Sequence, residues 1–401
     1  MEEVILKMGK NLLDNFFATL TQGGFSVRYW DGEEIAYGSS PPRVKIIFNE
    51  PLPLSFNLTD PMVTLGEAYM DEIIDFEGSM DEIMKLIDLN KDNFSVKTKG
   101  ILGNAVKTAN TLALKLTQKS NIHHHYDLGN DFFALWLDES MSYSCGYFKN
   151  PADTLYQAQM QKIDHTLKKL QLKPGEKLLD IGSGWGQLII RAAQAYDVQA
   201  VGITLSEEQY QATLEQIKSK HLEDKVAVKL QDYLDLQEEI YQFDKIVSVG
   251  MFEHVGRENL PKYMEKVSNL LKPGGLSLLH SIMGTNEKGV NSWITKYIFP
   301  GGYIPSLRET IWLLPQYDFH LLHAESLRMH YAMTLDRWHK NYLKNWDTVQ
   351  EKFGRKFARM WSLYLQGCAA NFRVSGLNIY QLLFSKGLNN NLNLNMEYIY
   401  S

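Results

Sequence analysis

Between Asn11 and Leu20 apolar residues recur three and four positions apart, the spacing of a helix with one buried face. Phe25-Ser-Val-Arg-Tyr-Trp30 and Glu33-Glu-Ile-Ala-Tyr37 flank the turn Asp31-Gly32 and predict a hairpin. Val44-Lys-Ile-Ile-Phe48 predicts another strand. Ser79-Met-Asp-Glu82 reads as a capping box opening a helix from Met80 to Leu89, since Ser79 and Glu82 can satisfy orphan amides reciprocally. These elements form a small α+β unit with no catalytic cluster.

From Thr154 the rhythm changes, and helices alternate with short apolar strands, the pattern of a parallel sheet. Thr154-Leu-Tyr-Gln157 caps a helix running to about Leu172, and Pro174-Gly175 turns the chain into a buried strand, Lys177-Leu-Leu-Asp-Ile181. Gly182-Ser-Gly-Trp-Gly186 follows, then a helix from Gln187 to Tyr196, a strand from Val198 to Ile203 and a helix capped by Ser206-Glu-Glu-Gln209. Val226 to Leu230, Phe243 to Val249 and Leu276 to Ile282 supply further strands, and the Asn-rich tail 389–395 carries no pattern.

Composition narrows the class. A chain of 401 residues suits two unequal domains, and 44% hydrophobic with 22% charged residues marks a folded protein. A net charge of −6 argues against a basic nucleic-acid coating protein. Two cysteines, Cys145 and Cys368, exclude a disulfide scaffold and favour a reducing, cytoplasmic setting. The longest stretch without Asp, Glu, Lys or Arg, Pro273 to Asn286, has 14 residues, against about 20 for a bilayer helix. The N-terminus shows no secretory pattern. Residues 97–119 hold five lysines and no acid, with apolar residues at helical spacing. They read either as a connector helix or as a basic amphipathic helix drawn to anionic lipid, at ~1 kcal/mol per lysine. The expected organisation is an α+β accessory, lipid-binding domain over 1–96, a basic linker over 97–119 and a catalytic domain over 120–401.

The loop Gly182-Ser183-Gly184-Trp185-Gly186 sits where a strand enters a helix, a place for bare amides and an anionic group. Its spacing is G-x-G-x-G rather than the G-x-G-x-x-G of dinucleotide pyrophosphate sites, which tilts it towards S-adenosylmethionine. The next strand ends without the usual ribose-binding acid, so Thr204, Leu205, Ser206 and Gln209 take that place. Gln231 and Asp232, after the following strand, stand where adenine would be bracketed.

Further segments are distinctive: Asn121-Ile-His-His-His-Tyr-Asp-Leu-Gly-Asn130, Tyr143-Ser-Cys-Gly-Tyr147, Gly250-Met-Phe-Glu-His254, Leu279-His-Ser-Ile282, Ile298-Phe-Pro-Gly-Gly302 and His330-Tyr331. Together with the glycine loop and Ile203-Thr-Leu-Ser206, this set resembles the cyclopropane-fatty-acyl-phospholipid synthases. Mycolic acid cyclopropane synthases and methyltransferases are similar over residues 121–386, and the first part of the chain resembles the N-terminal domain of the bacterial phospholipid enzymes. The resemblance implies an α/β fold of class I S-adenosylmethionine-dependent methyltransferases, a Rossmann-like doubly wound sheet with a smaller N-terminal α+β domain.

It also implies a reaction, methylene transfer from S-adenosylmethionine across a cis double bond of a phospholipid acyl chain. An isolated alkene is a poor nucleophile and needs a strong, aligned methyl donor. The resulting carbocation must be kept from water and can be stabilised by aromatic faces, with Tyr331 and Phe252 as candidates. The resemblance implies a bicarbonate ion as base, held by Cys145, Glu253, His280, the Ile282 backbone and Tyr331, and places Tyr126 and Ser144 at the cofactor's amino-acid end. It implies a homodimer working at the inner face of the membrane, with the segment from Trp293 to Leu307 as an acyl-channel lid. No metal site is expected, because His123, His124 and His125 are adjacent and cannot converge on one ion. Cys368 reads as core. The competing readings are lipid C-methylation or small-molecule N-methylation without ring closure, and a catalytically silent lipid-binding protein.

Overall fold

The computed structural model describes residues 2–53, 59–94, 128–287 and 289–400. The linker 97–119 and the site candidate Tyr126 lie outside the described residues. The chain divides into two compact units.

The first unit takes the described residues up to 94 together with Asn291–Ile298 and Tyr342–Gly376. Its sheet consists of β1 (Gly24–Arg28), β2 (Glu34–Gly38), β3 (Val44–Phe48) and β4 (Ile74–Glu77), in the order β2-β1-β3-β4. The hairpin β1–β2 is antiparallel, as the alternating pattern predicts, while β1 and β3 run parallel. Phe17 from the helix Glu2–Ala18 packs with Phe25, Tyr29 and Phe48 in the core. Ser79 caps the helix Met80–Leu89 by accepting from the Glu82 amide, but the Glu82 carboxylate pairs with Arg43 instead of returning to the cap. The helix Arg355–Val374 joins this unit through Arg359, whose guanidinium donates to the Tyr69 carbonyl and the Asp75 carboxylate, both at 2.6 Å.

The second unit takes residues 128–290, Phe299–Asn341 and 377–400. Its sheet consists of β5 (Lys177–Ile181), β6 (Gln199–Thr204), β7 (Val226–Leu230), β8 (Phe243–Val249), β9 (Leu271–Met283), β10 (Phe319–Ser326) and β11 (Asn378–Lys386). The order is β10-β11-β9-β8-β5-β6-β7. Strands β5 to β9 are parallel, as predicted, whereas β11 runs antiparallel to both its neighbours. Two apolar layers sandwich the sheet: Leu178, Ile190, Val226 and Leu383 belong to one, Ile181, Ile246, Phe252 and Leu382 to the other. The chain runs outward from β5 through β6 to β7, then returns to the other side of β5 at β8. Strand order reverses between β5 and β8, and a crevice for ligands opens at the carboxyl ends of strands flanking such a reversal.

Candidate active site

The glycine loop leaves the carboxyl end of β5, where Gly182, Gly184 and Gly186 all have positive φ, at 85°, 54° and 81°. Only glycine adopts such a succession without strain. The amides of Gly182 and Ser183 both donate to the Ile203 carbonyl, and that of Gly186 to the Ser183 carbonyl. The first two N–H groups tie the turn to β6, and the third closes the turn on itself. Beside Gly184 the space is open: a Cβ there would meet nothing within 4 Å. Trp185 Nε1 donates to Asn130 Oδ1 at 2.7 Å and fixes the loop to the segment before it.

Around this turn are buried acceptors. Asp138 Oδ1, Gln159 Oε1 and Asp180 Oδ1 have no hydrogen-bond partner among the described residues. Burial pushes the Asp180 carboxyl up to about 7 against the pull of Lys162, and pulls the Lys162 ammonium down to about 8. Lys162 Nζ donates to Ser144 Oγ at 2.9 Å. Buried acceptors left unmatched suit a ligand carrying positive charge and N–H donors, and S-adenosylmethionine, with its sulfonium and ammonium, is such a ligand.

The other cofactor candidates are tied to one another. Thr204 Oγ1 donates to Gln209 Oε1 at 2.8 Å and accepts from the Ser206 amide, while Ser206 Oγ caps the helix Glu207–Ser219. Leu205 is half-buried between them. Asp232 caps the turn Tyr233–Asp235, and Gln231 Nε2 donates to the Asp235 carbonyl.

The second constellation converges at the ends of β8 and β9. Glu253 lies in the one-turn helix Phe252–His254 after β8, and its Oε1 accepts from the Ile282 N–H at 2.6 Å. Ile282 pairs with Ile379 across β9 and β11. The Ile379 carbonyl accepts from the Leu327 N–H, and the Leu327 carbonyl accepts from Tyr331 N and lies 3.9 Å from Cys145 Sγ. This chain of contacts brings Glu253, Ile282, Tyr331 and Cys145, far apart in sequence, onto neighbouring backbone. His280 lies two residues before Ile282 on β9 and is fully buried.

Two atoms here are unmatched. Glu253 Oε2 and His280 Nε2 have no hydrogen-bond partner among the described residues. Burial pushes the Glu253 carboxyl up to about 7 despite the Ile282 amide. Burial, with Lys162 and Lys169 nearby, holds His280 well below its ordinary range, so the imidazole is neutral. Burial pushes the Cys145 thiol up, so it is a thiol and not a nucleophilic thiolate. A buried N–H donor and a buried carboxyl, each unmatched, are the kinds of group that bind a small oxyanion carrying a proton. The Ile282 N–H is already given to the Glu253 carboxyl.

Sequence reasoning missed the polar groups behind this site: Lys162, His165, Thr166 and Lys169 on the helix Leu155–Lys169, Glu325 on β10, Thr334 and Gln381. On the helix their spacing reads as a solvated stripe, yet His165 and Lys169 are buried against Glu325, at 2.7 Å from His165 Nε2 in the first case.

Solved structures resemble about two thirds of this chain. The cyclopropane synthase MmaA2 from Mycobacterium tuberculosis aligns with TM-score 0.64 at 33% identity, covering 67% of this chain and 98% of that one. A mycolic acid cyclopropane synthase complexed with SAH and CTAB aligns with TM-score 0.63 at 34% identity, covering 67% and 98%. The glycine turn at the sheet reversal, the seven-stranded sheet and these likenesses define a class I S-adenosylmethionine-dependent methyltransferase with an additional N-terminal domain. The family model for mycolic acid cyclopropane synthetase matches residues 114–382, and the chain belongs to that family. Residues 12–99 match a domain of unknown function. The chain is 38% identical over 368 residues to a probable fatty acid methyltransferase of Pseudomonas putida, covering 90% of this chain and 91% of the relative. It is 42% identical over 273 residues to the cyclopropane-fatty-acyl-phospholipid synthase of Escherichia coli K12, covering 67% and 68%.

Proposed function

We propose that this protein adds a methylene across a cis double bond of a phospholipid acyl chain, closing a cyclopropane ring at the inner surface of the membrane. The observation that supports this reading is that Glu253 Oε2, after the end of β8, and His280 Nε2, on the adjacent β9, are both buried and unmatched. A simple methyl transfer to an amine needs no base for a carbon-bound proton, whereas ring closure does.

When bound, S-adenosylmethionine supplies a methyl group on a sulfonium. Gly184, Ser144, Asp180 and Gln159 are the described residues best placed to hold it, with the Thr204–Gln209 cluster and Asp232 at the far end. Phe252 is fully buried and Tyr331 half-buried, and their rings shield and stabilise positive charge on the lipid. The proton that leaves the added carbon needs a basic oxygen, and a bicarbonate ion is the group whose chemistry the site fits. His280 Nε2–H, Tyr331 and Cys145 would hold such an ion, which would supply the basic oxygen, and Glu253 would accept its hydroxyl proton. The Ile282 amide holds the Glu253 carboxyl in place for that task.

A second reading is favoured by the match over 90% of the chain to a probable fatty acid methyltransferase: methylation of an acyl chain without ring closure. Both readings predict acyl chains heavier by one methylene after incubation with S-adenosylmethionine and vesicles of a cis-unsaturated phospholipid. Acyl chains of unchanged mass contradict both.

A further inference from the structure

The described contacts fix which nitrogen of His280 carries its proton. Gln381 is fully buried on β11, opposite His280 on β9. Its Oε1 accepts from Lys169 Nζ at 2.7 Å, and Lys169 is a donor only. This sets the amide: Nε2 faces the other way, with one hydrogen for Thr166 Oγ1 at 3.2 Å and one for His280 Nδ1 at 3.0 Å. Thr166 spends its own hydroxyl hydrogen on the Lys162 carbonyl, so its oxygen can only accept. Lys169 is held in turn by Glu325, which also binds His165 at 2.7 Å. His280 Nδ1 is therefore an acceptor, and the neutral ring must carry its proton on Nε2, the atom with no described partner.

We propose that Gln381, oriented by the Lys169–Glu325 ion pair, is a positioning residue that locks His280 as the Nε2–H tautomer and so keeps a hydrogen-bond donor aimed into the site. This deepens the proposed function and rests on its reading of His280 as a donor. Gln381 touches neither lipid nor cofactor in this scheme and acts through the imidazole alone. The arrangement resembles in logic the outer-shell partners that set histidine tautomers in metal sites. Here the partner is a neutral amide. A carboxylate in its place would accept from Nδ1–H and leave Nε2 bare.

The test uses the full chain with 15N-labelled histidine, the His280 signals being identified by their loss in His280→Gln. The wild type is expected to show a bare Nδ1 and a protonated Nε2. Gln381→Glu is expected to move the proton to Nδ1 and to lower kcat ~10- to 100-fold, with the dissociation constant for S-adenosylmethionine unchanged. Lys169→Met should lower kcat in the same way, and Lys169→Arg, which still donates to Gln381, should restore much of it. A wild-type His280 protonated on Nδ1 overturns the inference, and that spectrum needs no Gln381 or Lys169 variant to fold. So does a Gln381→Glu protein with unaltered tautomer and kcat. If the wild type builds no ring on unsaturated phospholipid, the functional reading fails instead, and the tautomer assignment is judged by the spectrum alone.

Discussion

At the scale of single residues, Glu253 carries opposite obligations. Its folded-state value of about 7 stands above the ordinary 4.5. Folding therefore favours the protonated form, and the associated stability is present below about 4.5 and lost as pH rises through about 7. Replacing Glu253 by Gln removes that loss while keeping an oxygen for the Ile282 amide. The Gln variant should unfold with a free energy higher than wild type by ~1–3 kcal/mol near pH 8, with the gain fading by about pH 5. Denaturant titrations at both values check this, and a gain independent of pH would return the carboxyl to its ordinary range. Turnover should move the other way, falling ~10²–10⁴-fold, while cofactor affinity stays close to wild type. Equal losses of turnover and affinity would place Glu253 in the cofactor pocket. Glu253 and His280 are proposed from their motifs through the family resemblance. Gln381 and Lys169 were not legible in the sequence: a lysine in a polar helical stripe signals solvent, and only the fold reveals that Lys169 is buried against a carboxylate 156 residues away.

At the scale of elements, strands β3, β5, β7 and β8 and the helix Gln187–Tyr196 fall where periodicity puts them, because each is short, apolar and bounded by turn residues. The reversed strand β11 was missed. Its run of buried residues resembles any core segment, and its direction depends on β9 and β10, to which no local signal points. The glycine loop separates two kinds of constraint. At Gly186 an added Cβ would sit 2.4 Å from Thr213 Cγ2, whereas at Gly184 it would meet only open space. Gly186→Ala should cost both the left-handed strain, ~1–2 kcal/mol, and a steric clash of similar size. Gly184→Ala should cost the strain alone but hinder the ligand. Unfolding and S-adenosylmethionine titrations of the two variants should therefore rank in opposite orders. The lysine-rich segment 97–119 belongs to this scale as a sequence-based expectation. Replacing Lys107, Lys115 and Lys119 by Gln should reduce sedimentation with anionic vesicles, and unchanged sedimentation would leave the segment a connector.

At the scale of the whole molecule, the first unit is assembled from three stretches of chain, and Arg359 reaches Asp75 over a separation of 284 residues. Contiguity along the sequence cannot anticipate such pairings, since an Arg on a long amphipathic helix has no mark of its partner. No helix among the described residues is long and apolar enough to cross a membrane. The proposed activity stands on ring closure, in which a proton must leave the added carbon; the proposal gives Glu253 the handling of that proton and His280 the role of a hydrogen-bond donor. Proton NMR of acyl chains recovered after incubation with S-adenosylmethionine and cis-unsaturated phospholipid vesicles tests this most directly. The account predicts the upfield methylene signals of a cyclopropane and loss of the olefinic protons. A chain that has gained one carbon yet retains an olefinic signal would contradict it.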